Sequence, residues 1–300
     1  MSREFKTIAM IGRVSDSRVA DPMKALAGHL SNAGIKVVAD PSIAAEMPVQ
    51  SLSQTEIAAV ADLLIAVGGD GTMLHAAALA QQQGKPLLGI NRGRLGFLAD
   101  VSPNEMLPSL DRILAGDYTR EPRLLLEATI VSPDQPRRTS VALNDVVLQR
   151  CESGRMVDFE TRIAGRYVNT HAGDGLIVAT PTGSTAYSLS CGGPIIEPML
   201  DAIALVPICP HSLSDRPIVV PARHQIDVVL IQRSDARADV IIDGRSQGEL
   251  LPSARLTIKA AADRITLIHP PGHDFYDILR SKLRWGHDGR HRKPGVAVDG

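Results

Sequence analysis

Two rhythms of apolar and polar positions divide the chain. Up to Gly116, short continuous apolar runs alternate with stretches whose apolar positions recur at helical spacing. The continuous runs are Thr7–Ile11, Ile35–Ala39, Leu63–Val67 and Leu87–Ile90, and each predicts a strand. Met23–Leu30 (with Gly34 as a stop), Glu56–Ala61 and Met73–Ala80 predict the helices between them, and Pro103–Gly116 predicts one more. Strands alternating with helices form a parallel sheet covered on both faces. Such sheets bind ligands at the carboxyl ends of their strands.

From Arg123 the helical spacing disappears. Leu124–Val131, Val141–Gln149, Met156–Ile163, Tyr167–His171, Leu176–Ala179, Ile218–Val220, Ile226–Ile231, Ala238–Ile242, Leu256–Lys259 and Ile265–Ile268 read as short strands. Turn residues separate them, among them Ala164-Gly165 and Asp243-Gly244. The fold class expected is therefore an α/β N-terminal unit with a parallel, Rossmann-like sheet, followed by an all-β, sandwich-like unit. Helical spacing returns in Phe275–Leu283, and the Gly-, Pro-, Arg- and His-containing stretch His287–Gly300 predicts a disordered tail.

Composition narrows the function. Aromatic residues make up only 3%, so the cores are aliphatic and stacking platforms for single-stranded nucleic acid are lacking. A net charge of −1 gives no field toward nucleic acid or an anionic membrane, so neither is an expected partner. No apolar run approaches the length of a bilayer span, and Met1–Lys6 lacks the apolar core of a secretion signal. Cys151, Cys191 and Cys209 are odd in number, unpaired in spacing and set in or beside apolar stretches. They read as buried, reduced thiols, which makes the cytoplasm the expected compartment. His75, His171, His211 and His269 form no metal-ligand spacing, and no metal site is expected from them.

The strongest local signal is Gly68-Gly69-Asp70-Gly71-Thr72, where a strand ends and a helix begins. Glycines let backbone N–H groups approach a phosphate, and the helix N-terminus adds a favourable dipole. An aspartate is a poor phosphate ligand. Its presence makes sense as a proton acceptor for a hydroxyl nucleophile or an organiser of a metal ion. A helix-capping role is the alternative on these residues alone. Asn91–Leu98, with Arg92 and Arg94, follows the next strand and sits at the same sheet edge.

Asn144-Asp145 interrupts an apolar strand, and two buried polar groups there need partners or a ligand. Thr180–Pro194 packs hydroxyls, small residues and one tyrosine between apolar strands, with Asp174-Gly175 just before. Its Thr182, Ser184, Thr185 and Ser188 can donate to a base or ribose, and Tyr187 can pack against a ring.

In this order, Gly68–Thr72, Asn91–Leu98, Asn144-Asp145, Asp174–Pro194 and His269–Phe275 resemble the NAD kinase family. The Gly-Asp motif alone is shared with other kinases, and the Asp174–Pro194 block is the more specific part. The resemblance implies an ATP-dependent kinase that uses Mg2+ and phosphorylates the 2'-hydroxyl of the adenosine ribose of NAD, with Asp70 as proton acceptor. It implies that Gly68, Gly69, Gly71 and Thr72 hold ATP phosphates. It also implies that Asp70, Gly71, Asn144, Asp145, Asp174 and the run Thr185, Ala186, Tyr187, Ser188, Leu189 and Ser190 line the NAD site, together with Thr182. Arg155 and Ala172 fall at variable NAD-contacting positions. Arg245 stands where the family often has a ligand-contacting glutamine, with Gln247 two residues later. The implied architecture joins residues 1–120 with 271–286 as the α/β unit and gives 121–270 to the β-rich unit. The implied assembly is a homodimer or homotetramer.

Overall fold

The computed structural model describes residues 4–93, 95–133, 135–151, 156–231 and 237–285. The expectations placed on Arg94, Arg155 and His287–Gly300 lie outside these residues.

The N-terminal runs form strands Thr7–Gly12, Lys36–Ala39, Leu63–Val67 and Leu87–Ile90, and the spaced stretches form helices Ser17–Asn32, Gln54–Val60, Asp70–Gln81 and Met106–Leu114. A short helix Pro41–Ala44 and a two-residue strand Gln50–Ser51 were not legible in the apolar pattern. In space the first five strands run in the order Gln50–Ser51, Lys36–Ala39, Thr7–Gly12, Leu63–Val67, Leu87–Ile90, all parallel. Chain order reverses between Thr7–Gly12 and Leu63–Val67. Their carboxyl ends form the crevice where such sheets bind ligands.

Two later strands complete this sheet. Ile265–His269 pairs parallel to Leu87–Ile90, and Thr119–Arg123 pairs antiparallel to Ile265–His269. Ile265–Ile268 was expected among the strands of the second unit. Its two neighbours in the first sheet place it in that layer, where Ile268 packs into one apolar cluster and Ile265 and Leu267 into the other, covering both faces. Helix Phe275–Leu283 follows and lies beside Met106–Leu114, where Asp277, Ile278 and Ser281 share a cavity wall with Pro108, Ser109 and Arg112.

Between these strands the chain builds two antiparallel six-stranded sheets. One runs Arg166–Gly173, Val157–Ile163, Ile226–Leu230, Arg255–Ala260, Leu126–Ser132, Gln135–Ala142; the other runs Ile218–Pro221, Ala202–Ile208, Gly175–Ala179, Asp145–Arg150, Ala238–Ile242, Arg245–Leu250. Alternate residues of both point into one aliphatic core around Phe159, Leu126, Val146, Val178, Val228 and Val240. Val141–Gln149 was expected as one strand. It is two, because the chain leaves the first sheet after Ala142 and enters the second at Asp145.

The helix Asp70–Gln81 joins the layers. Its small buried residues Ala76, Ala77 and Ala80 allow close packing on the parallel sheet, and the same cluster takes in Leu125 and Leu143 from the sandwich. No helix among the described residues is long and apolar enough to cross a membrane.

The cysteines differ from expectation. Cys151 and Cys209 are exposed and Cys191 is half-buried. Cys151 follows the last residue of a strand, and Cys209 turns the chain at φ 44°, so the apolar runs end just before each.

Candidate active site

Strand Leu63–Val67 is wholly buried and delivers Gly68-Gly69 to the carboxyl edge of the parallel sheet. Gly69 is the N-cap of the next helix and offers no side-chain cap; Thr72 N–H bonds Gly69 O at 2.9 Å, and the N–H groups of Asp70 and Gly71 remain for another acceptor. Gly68, Gly69, Gly71 and Thr72 line a cavity of about 370 Å³ together with Arg13, Ser15, Asp16 and Arg92. This cavity occupies the crevice where strand order reverses. Asp16 is taken up by Arg18 and by Arg92, whose Nη1 lies 3.2 Å away, and Arg18 holds its carboxyl below the usual range.

Asp70 opens the helix rather than capping it. Its Oδ2 accepts from Phe97 N–H at 3.4 Å and its Oδ1 from Leu98 N–H at 3.3 Å. Both bonds are long, so lone pairs remain for a hydroxyl. A Cβ at Gly96 would run into this carboxylate, which explains a glycine in Asn91–Leu98 by close approach. Asn91 is buried and bonds Gly93 N–H at 2.8 Å, shaping the turn that presents Arg92.

The helix start faces the crossover between the sandwich sheets. A second cavity, about 410 Å³, is lined by Gly71, Leu74, Leu143, Asp243, Arg245 and Gln247 among others. Arg245 reaches the helix through His75 Nδ1 at 3.1 Å, while Gln247 accepts from the Ser140 hydroxyl at 2.9 Å. Both therefore border the junction.

The sequence marks Asp243-Gly244 only as a turn between strands. The turn is real, with φ of 47° at Asp243 and 77° at Gly244, as a tight two-residue hairpin requires. Its side chain does more. The carboxylate accepts from the N–H groups of Leu143 at 2.8 Å, Asn144 at 2.8 Å and Asp145 at 3.2 Å, which satisfies the backbone where it changes sheets. A lone Asp-Gly pair gives no sign of a partner a hundred residues away.

Asn144 and Asp145 are 9% and 5% exposed, at the mouth of this crossover. Burial, with Asp243 beside it, pushes the Asp145 carboxyl up to about 7. A carboxyl raised in the folded state keeps a proton that the unfolded chain has already released. Stability contributed by Asp145 is thus full below the ordinary value of 3.8 and is lost as pH rises toward 7. The Tm advantage of Asp145→Asn over the unchanged chain should grow across that window and level off above it. A constant difference across pH in thermal melts would remove the assignment.

The hydroxyl-rich segment divides its labour. Thr180 Oγ1 donates to Leu143 O at 2.5 Å and accepts from Gly183 N–H at 3.0 Å. Ser184 is fully buried, donating to Pro181 O and accepting from Ile196 N–H, so it fastens the loop rather than facing a ligand. Thr182 is also buried and receives Arg123 Nη1 at 3.2 Å; Thr185 donates to Thr182 O. Ser188 Oγ is buried with no hydrogen-bond partner. Gly183 packs its Cα on the Asn144 carbonyl, where a Cβ would collide.

Beyond Thr185 the chain folds back over the outer face of strand Gly175–Ala179, with Cys191 and Ile196 packed on Ile177 and Val206. Ala186 and Leu189 are half-buried; Tyr187 and Ser190 are exposed. Tyr187 thereby comes near Cys191, Cys209 and Asp174 at the far end of that strand, and burial raises its phenol first. Asp174 accepts from Arg150 Nε at 2.6 Å, and Ala172 O accepts from His211 N–H at 2.8 Å. The expected residues therefore form two groups. Asp70, Gly71, Asn144, Asp145, Thr182 and Arg245 lie around the junction, while Ala172, Asp174 and Tyr187 lie at the other end of Gly175–Ala179. That strand spans about 13 Å between them.

Comparison with known proteins agrees with this geometry. Residues 8–118 match the ATP-NAD kinase N-terminal domain and residues 143–270 the ATP-NAD kinase C-terminal domain. The chain is similar to the NAD kinase of Chromobacterium violaceum, 44% identical over 95% of this chain and 99% of that protein. The NAD kinase of Aromatoleum aromaticum is 42% identical over 95% and 96%. Among solved structures, a yeast NADH kinase complexed with NADH superposes with a TM-score of 0.89 at 26% identity, covering 97% of this chain and 91% of that one. An NAD kinase from Archaeoglobus fulgidus in complex with ATP gives 0.71 at 26% identity, over 93% and 98%.

Proposed function

The chain belongs to the NAD kinase family, and from that premise we infer that it transfers the γ-phosphoryl group of ATP to the 2'-hydroxyl of the adenosine ribose of NAD, giving NADP and ADP. The observation that carries the reading is Asp70 itself. It is a carboxylate at a helix N-terminus, beside a glycine-lined phosphate cavity on one side and the inter-layer cleft on the other.

Gly68, Gly69, Gly71 and Thr72 surround the ATP phosphates, with Gly71 donating its first-turn N–H and Arg13 and Arg92 adding positive charge. NAD lies along the cleft from the junction toward Asp174 and Tyr187. Asn144 and Asp145 grip its adenosine ribose, and Asp70 accepts the 2'-hydroxyl proton as the oxygen attacks in line. Thr182 and the segment Thr185–Ser190 form the wall on which the dinucleotide rests, with Gly71 and Arg245 at its adenosine end. Ala172 is assigned to its outer end, and Arg155 is an NAD contact by the family pattern alone.

Mg2+ fits the donor set: Asp70 and Thr72 offer hard oxygens, and Asp16 is already held by arginines. Bound with ATP, the ion offsets charge on the phosphate oxygens. The sandwich's edge strands leave Tyr167, Val168, Ile218 and Val219 exposed, with Leu213 in a nearby turn, which supports assembly as a homodimer or homotetramer through that edge. A cytoplasmic site of action accords with the thiols of Cys191 and Cys209.

The decisive measurement incubates the chain with NAD, ATP and Mg2+ and detects NADP with an NADP-specific dehydrogenase. Steady NADP formation that depends on ATP is expected. No NADP above the enzyme-free blank rejects the function.

A further inference from the structure

Outside the site just described, one cluster of titratable side chains remains without a role. Asp100 follows the loop that holds Asp70, His269 ends the strand Ile265–His269, and His273 lies just before the last helix. Their ligand-type atoms lie within 4.8 Å of one another. The two imidazoles stack at 3.7 Å and turn Nδ1 toward the same oxygen, Asp100 Oδ2, at 2.9 Å from His269 and 2.6 Å from His273. Asp100 Oδ1 is buried with no hydrogen-bond partner. On the opposite edge, Nε2 of each ring faces Glu121 Oε2, at 3.1 Å and 3.6 Å, without an aligned hydrogen bond.

Protons alone satisfy this arrangement poorly. If both imidazoles are neutral with hydrogen on Nδ1, their Nε2 lone pairs oppose the Glu121 carboxylate. If one is doubly protonated, the other still turns an Nε2 lone pair toward Glu121; if both are, two cations stack face to face with side chains 2% and 12% exposed. A divalent ion among Asp100 Oδ2 and the two Nδ1 atoms resolves both problems. Each imidazole is then neutral, and its Nε2–H points at Glu121, the outer carboxylate that metal-bound histidines commonly carry. Two nitrogens and a carboxylate suit a borderline ion of the zinc class better than Mg2+ or Ca2+. A cavity of about 600 Å³, lined by Asp100, His273, Pro270 and Pro271, gives a route in from solvent.

We propose that Asp100, His269 and His273 form a binding site for one divalent transition-metal ion of the zinc class, with Glu121 orienting the two histidines. The ion ties the end of the Asn91–Leu98 loop to the end of strand Ile265–His269. Because Phe97 and Leu98 hold Asp70, the site braces the loop behind that carboxylate.

The test uses the full chain without a histidine tag, stripped with chelator and then dialysed against Zn2+ or Co2+ alone. One Zn2+ per chain is expected by elemental analysis, and Co2+ should give the visible absorption of a nitrogen- and oxygen-ligated ion. His273→Gln should abolish stoichiometric binding, and Glu121→Gln should weaken it by about 10–100-fold. Because the unchanged chain is measured directly, a misfolded variant does not obscure the result. Failure of that chain to take up either metal in several-fold excess overturns the proposal. So does equal uptake by His273→Gln.

Discussion

Asp70→Asn should lower the turnover of NAD to NADP by about 10²–10⁴-fold, the usual cost of removing a general base. The amide keeps the size of the carboxylate and can still accept a backbone hydrogen bond from Phe97 or Leu98, so the loop and the helix start should hold. It cannot accept the 2'-hydroxyl proton. NAD affinity, measured by calorimetry without ATP, should therefore stay within a few-fold of the unchanged chain. This split between binding and turnover separates a base from a helix cap. Gly69 already occupies the cap position with Asp70 inside the helix. A variant that turns over at near-normal rate would end the assignment of Asp70 as proton acceptor.

A second large effect is expected at Asp243, far from Asp70 in sequence. Asp243→Ala removes the acceptor for three backbone N–H groups at the crossover, two of which belong to Asn144 and Asp145. Leaving buried donors unpaired costs about 1–3 kcal/mol each, so a loss on the order of 3 kcal/mol is expected. For a chain of this size that is a fall of roughly 6–12 °C in Tm. The turn itself tolerates alanine, since Ala164 adopts φ 50° in the equivalent turn of another hairpin. NAD affinity should fall as well, because Asn144 and Asp145 lose the contact that places them. Asp243→Asn, which keeps one accepting oxygen, should fall between the two in both measurements. An unchanged Tm in Asp243→Ala would show that the crossover is held by other contacts.

These two residues mark how far the sequence could be read. Asp70 was legible because its neighbours are glycines between a strand and a helix, so all the information lay within five residues. The four parallel strands were legible for a similar reason, as each is an uninterrupted apolar run. Asp243 was not legible, because its partners lie 98 to 100 residues away and its own turn already explains an aspartate and a glycine. The same limit hid Ala202–Ile208, which an interior proline disguised, and Thr119–Arg123, a charged strand paired on one side. Ser184 and Thr185 were visible as hydroxyls, but only packing decides that Ser184 fastens the loop. His269 and His273 are four apart, yet Asp100, which gives them meaning, is 169 and 173 residues away.

The pairing of Ile265 with Arg123 across adjacent strands bears on how the protein is made. Everything between those two residues is an insertion whose ends meet as hydrogen-bonded neighbours. A ribosome that has released the first 120 residues has supplied five strands of the parallel sheet, with Val101 bridging Ile90 and the Leu87-Leu88 half of that strand left as an uncovered apolar edge. That edge finds its mate only after the whole sandwich has emerged. The N-terminal layer is therefore begun first and finished last, and the early chain must keep an aggregation-prone border covered or waiting until Ile265–His269 arrives.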